Sequence, residues 1–118
     1  MKASDKAEAN AAFDASFIDV YTGGDRSIRN QVLELFLTQA ELLLTRLREA
    51  QGDERRWHEA AHSLKGCASG VGANGLAALA REAERQGPAA HSQQAAILDD
   101  LAAAYSATAV KVRALLAR

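Results

Sequence analysis

Leu33, Phe36, Leu37, Ala40, Leu43, Leu44 and Leu47 recur three and four residues apart, and this spacing constrains the chain more than any other feature. At about 3.6 residues per turn these side chains share one side of a helix, and so wide an apolar stripe must be buried against other helices. Three more stripes follow. Trp57, Ala61, Leu64, Ala68 and Val71 form one, Leu76, Leu79, Ala80 and Ala83 the next, and Ile97, Leu101, Tyr105, Thr108, Val112 and Leu115 the last. Between them stand Gly52, then glycines 70, 72 and 75, then Gly87-Pro88. Glycine ends helices by adopting the left-handed turn, and proline cannot continue one. Asp53 is positioned to cap one helix and Asp25 or Ser27 another, each by accepting from free backbone amides.

Short connections force neighbouring helices to run antiparallel, so the predicted fold class is all-α, an antiparallel up-and-down four-helix bundle. A short additional N-terminal helix carries Phe13, Phe17, Val20 and Tyr21 and stops at Gly23-Gly24. Residues 1–11 are polar and alanine-rich, with no stripe to face a partner, and are expected to be a flexible leader to a single bundle over 12–118.

Composition narrows the function. A net charge of -1 argues against a nucleic-acid or anionic-membrane partner. The first twenty residues hold no continuous apolar run of the kind a signal peptide or membrane span requires, so a cytoplasmic protein without membrane contact is expected. Cys67 is the only cysteine, which excludes an internal disulfide and any multi-cysteine metal site.

The chemistry concentrates in His58-Glu59-Ala60-Ala61-His62-Ser63-Leu64-Lys65-Gly66. Its first five residues spell H-E-x-x-H, the zinc-protease signature, and its last five set a histidine one turn before a lysine and a glycine. With Trp57 at zero on a helical wheel, its own stripe stays within about 40°, while Lys65 lies at about 80°, His58 at about 100° and Ser69 at about 120°. His62 follows at about 140°, Arg55 at about 160° and Gly66 at about 180°. His62 therefore points away from the core, with Lys65 and Gly66 beside it. A glycine inside a helix costs about 1 kcal/mol relative to alanine. Close approach by another macromolecule explains an absent side chain at that position, and Lys65 offers a positive charge to a phosphoryl oxygen.

From His62 to Glu84 the sequence resembles the histidine phosphotransfer (HPt) domain of bacterial and fungal phosphorelays. The block His-Ser-Leu-Lys-Gly-Cys-Ala-Ser-Gly-Val-Gly-Ala carries the likeness, with Leu76, Leu79 and Glu84 after it and Phe36 and Gly23-Gly24-Asp25 before it. Ala83, where the family often has a larger apolar residue, and the short segment after Glu84 depart from the pattern. The resemblance implies that His62 is the phosphoacceptor, that Lys65 stabilises phosphate charge and that Glu84 orients the site. Gly66, Ser69, His58 and Arg55 would form the partner-docking rim. Partners would be response-regulator receiver domains, including those of a hybrid sensor kinase, and the chain would be either a small protein of its own or the C-terminal domain of such a kinase. No cofactor is expected in this chain. Mg²⁺ is expected in the partner receiver, and no ATP binding or autokinase activity is expected here.

Two rivals carry different chemistry. A zinc hydrolase would use His58 and His62 as ligands, Glu59 as general base and Glu82 as third ligand. Lys65 and Ala68 stand where the extended protease motif needs glycine and histidine, so no metal site is expected. The phosphoacceptor helix pair of a sensor kinase would need an acidic residue directly after its histidine, where Ser63 stands. A bundle that docks receivers without transferring phosphate remains a third alternative.

Overall fold

Asp25 and Asp53 each start a helix, their Oδ1 atoms accepting from the amides of Ile28 at 3.0 Å and Arg56 at 3.1 Å. The structure is a computed structural model that describes residues 3–86 and 91–118. Its helices are α1 (Ala3–Asn10), α2 (Ala15–Tyr21), α3 (Arg26–Glu49), α4 (Glu54–Ser69), α5 (Asn74–Gln86) and α6 (His91–Leu116). Helix α3 packs on α4, α4 on α5, α5 on α6, and α6 back on α3, which closes the ring of a four-helix bundle. The predicted stop at Gly87-Pro88 lies outside the described residues.

The four predicted stripes form the core. Leu33, Phe36, Ala40, Leu43, Leu44 and Leu47 are buried on α3, and Trp57, Ala61, Leu64 and Ala68 on α4. Leu76, Ala80 and Ala83 meet them from α5, while Ile97, Leu101, Tyr105, Thr108, Val112 and Leu115 meet them from α6. Trp57 has no exposed surface, and its Nε1–H donates to the carbonyl of Ala83 at 2.8 Å. A buried indole needs such an acceptor, and here it is on the neighbouring helix. This bond pins α4 to α5 at the residue before Glu84.

Three expectations at the N-terminal side need correction. Within residues 1–11, expected to be a flexible leader, Ala3–Asn10 form α1, so two short helices precede the bundle instead of one. An apolar stripe is not what holds α1. Lys111 Nζ donates to the carbonyl of Ala11 at 2.7 Å, and the Gly75 amide donates to that of Ala12 at 3.1 Å. Second, Phe17, Val20 and Tyr21 of α2 are exposed, Val20 to 83% and Tyr21 to 70%, while Ile18 is fully buried. The spacing sets the stripe one position off, because α2 fully buries only Ile18 and rests on the core otherwise through the partly buried Ala15. Third, Gly75 does not close α4 but sits in the first turn of α5.

Gly75 must be glycine for a steric reason: a Cβ there would run into the backbone carbonyls of Ala9 and Asn10. Gly75→Ala should therefore lift α1 from α5 at a cost of about 1–3 kcal/mol, as overpacking does. Amide exchange should show residues 3–12 losing protection while α3 to α6 keep theirs. Unchanged protection of 3–12 would mean that α1 is not seated on this glycine.

Candidate functional site

Helix α4 displays His62 on its solvent face because Ala61 and Leu64 on either side are buried. The imidazole is 63% exposed, and its Nδ1 lies 3.2 Å from Oε2 of Glu84. That same oxygen receives Lys65 Nζ at 3.1 Å. Lys65 stands one turn beyond His62 on α4, and Glu84 reaches across from the end of α5, its side chain only 18% exposed. The Trp57 bond ties α4 to α5 at the Ala83 carbonyl, one residue before Glu84.

The electrostatics of the trio follow from its contacts. The hydrogen bond from the Lys65 ammonium, opposed by partial burial and reinforced by His62, holds the Glu84 carboxyl below its ordinary value of 4.5. Glu84 is therefore a carboxylate at neutral pH, able only to accept. Its contact with Nδ1 requires that nitrogen to carry the proton, which leaves the lone pair of a neutral imidazole on Nε2. The arrangement presents an oriented nucleophile beside a fixed positive charge.

Because the Glu84 value is depressed in the folded state, its contribution is complete above about pH 4.5 and disappears as pH falls through the lower folded value. Glu84→Gln should flatten the stability-versus-pH curve in that acidic range. It should also slow any reaction at Nε2 by about tenfold, as removal of a ring-orienting carboxylate typically does. Identical acid profiles for the two proteins would remove Glu84 from the site.

The other candidates fall into two groups. Gly66 is exposed, and a Cβ added there would meet nothing within 4 Å. The bundle itself therefore does not demand glycine at this point. Ser69 is exposed one turn further along the same face, and the rings of His58 and His62 lie near parallel with centroids 6.2 Å apart. Arg55 is exposed too, but its guanidinium turns to Glu59 at 3.1 Å and not toward His62. Glu82, the third ligand a zinc hydrolase would need, is exposed and paired with Arg85 at 3.4 Å. Among the described residues no three His, Cys, Asp or Glu side chains form a group that could hold a metal ion.

One part of the site went unread in the sequence. A groove of about 500 Å³ runs beside Gly66, lined by Tyr21, Leu35, Phe36, Cys67 and Gly70 among others. Leu35 is 60% exposed at its edge, and Phe17 stacks on Tyr21 with ring centroids 6.3 Å apart. The signal was present in Leu35, an apolar residue outside the α3 stripe, and in the aromatic pair of α2. No helix among the described residues is long and apolar enough to cross a membrane.

The family model described as Hpt domain matches residues 31–109, which spans α4 and α5 entirely and most of α3 and α6. Neither the curated proteins nor the solved structures contain a match to the chain.

Proposed function

From the premise that this chain belongs to the Hpt domain family, and so serves phosphotransfer in two-component signalling, we propose that it is a cytoplasmic relay intermediate with His62 as its phosphoacceptor. One observation carries the reading: a single Glu84 oxygen engages both Nδ1 of the exposed His62 and Lys65 Nζ, so the other ring nitrogen, Nε2, is the one left to react. The lone pair on Nε2 attacks the phosphorus of a receiver acyl phosphate. A P–N bond forms while the P–O bond to the aspartate breaks, and the carboxylate leaves with the electron pair. Positive charge developing on the ring is stabilised through Nδ1–H by the Glu84 carboxylate. Lys65 balances the incoming phosphoryl oxygens. A second receiver aspartate reverses the step, and any Mg²⁺ belongs to the receivers.

Hpt domains are phosphocarriers and not kinases, so the donor must be a receiver, including one attached to a hybrid kinase. Its docking surface runs over Gly66, Ser69, His58 and Arg55 and continues into the apolar groove beside Gly66. Incubation with a phosphorylated cognate receiver should move the label to this chain as an acid-labile phosphohistidine. No transfer from any receiver of the source organism would favour a bundle that docks without accepting phosphate. Gly66→Leu should retain helicity yet reduce transfer at least about tenfold, since a branched side chain beside Nε2 displaces a reacting group that tolerates little misplacement. An unchanged rate would refute close approach at this glycine.

A further inference from the structure

Phosphotransfer uses His62 and leaves the H-E-x-x-H spacing unexplained. We propose that His58 and His62 together form a two-histidine chelate for zinc, and that zinc and the phosphoryl group compete for Nε2 of His62. Binding stands on its own, while the competition rests on His62 being the phosphoacceptor.

The two rings come from one exposed helix face, one turn apart, with centroids separated by 6.2 Å. An imidazole nitrogen binds zinc at about 2.0–2.1 Å, and its ring centre lies about 1 Å behind it, so a tetrahedral ion would hold the centroids about 5 Å apart. Near-parallel rings do not point their nitrogens at one ion, so the chelate requires His58 to turn about its side-chain bonds and close the remaining difference of about 1 Å, which its exposure permits. Glu84 supplies the second requirement. A zinc-bound histidine commonly donates its other ring nitrogen to a carboxylate, which fixes the tautomer and strengthens the donor, and His62 already has this partner at 3.2 Å. Lys65 opposes a cation here as it favours a phosphoryl group, and its pairing with Glu84 at 3.1 Å offsets part of that repulsion.

The neighbouring carboxylate Glu59 is engaged by Arg55 at 3.1 Å, so water completes the coordination. A site with two protein ligands binds reversibly and has no built third position, which separates it from a hydrolase. Zinc bound there occupies the lone pair that attacks phosphorus, so each bound ion withholds one phosphoacceptor.

The test is a zinc titration of the whole chain, followed by calorimetry and by the imidazole resonances of both histidines. One ion per chain should bind and shift both rings. His58→Gln and His62→Gln should each lower affinity at least about tenfold, because the second ligand in a chelate acts at high effective concentration. Equal affinity of His58→Gln and the parent, or no binding by the parent up to millimolar zinc, would overturn the chelate. Labelling by phosphoramidate, a small donor that needs no receiver, reads the competition. Zinc should suppress labelling of the parent several-fold more than that of His58→Gln, each normalised to its own metal-free rate. Equal suppression would overturn competition. Absence of labelling without zinc would instead tell against His62 as acceptor, a result the binding measurement cannot produce.

Discussion

His62→Gln should leave a folded helical protein that takes no phosphoryl group from a receiver. Glutamine approximates the length and polarity of histidine but has no nitrogen lone pair able to form a P–N bond, so acceptance falls to background. The side chain is 63% exposed and lies outside the core, so the stability change should stay within about 0.5 kcal/mol. Helicity by circular dichroism and the urea midpoint establish that the variant is folded, and radiolabel transfer reads the loss. The substitution leaves His58 and His91 in place. Label persisting in the variant would therefore move the acceptor to another histidine. Lys65 and Glu84 remain paired in this variant, which separates loss of the nucleophile from collapse of the site.

Trp57→Ala should be the most damaging core substitution, lowering stability by about 3–5 kcal/mol. The indole is completely buried and also supplies the bond to the Ala83 carbonyl at 2.8 Å. Removing it leaves a large cavity and an acceptor with one partner fewer. Trp57→Phe keeps much of the volume but not the N–H, and should cost less while still loosening α5 against α4. Its effect on transfer is the sharper test. If the bond sets the position of Glu84, Trp57→Phe should slow transfer while the protein stays folded. A fully active, folded Trp57→Phe would show that α5 is held in register by packing alone.

These expectations place His62 and Trp57 on opposite faces of one helix, and that division was already present in the order of residues. The stripe Trp57, Ala61, Leu64 and Ala68 requires a buried face, so the residues about 100° or more away from it, His58, His62 and Gly66, must be outside. The same periodicity marked the buried face of α6, from Ile97 to Leu115, correctly. It failed for α2, where seven residues offer too few turns to distinguish Ile18 from its neighbours. It also missed α1, which has no stripe at all. That helix is seated by a lysine bond to a backbone carbonyl and by the missing side chain of Gly75, contacts between residues far apart in the chain that no local pattern records.

The order of residues by itself determined the helices, their buried faces and the exposed strip that joins His62 to Lys65 and Gly66, because helical geometry converts spacing directly into direction. The resemblance pointed to Glu84, but only the tertiary structure decided which atoms it meets. On its own helix Glu84 lies at the edge of the stripe and Glu82 away from it, and neither position says what a carboxylate there would touch. The packing of α5 on α4, with Trp57 bonded to the carbonyl of Ala83, carries Glu84 to Nδ1 of His62 and leaves Glu82 paired with Arg85. The physical reason is that a helix sets angles within itself but not its height or rotation against a neighbour. Those are set by the side chains that fit between the two helices.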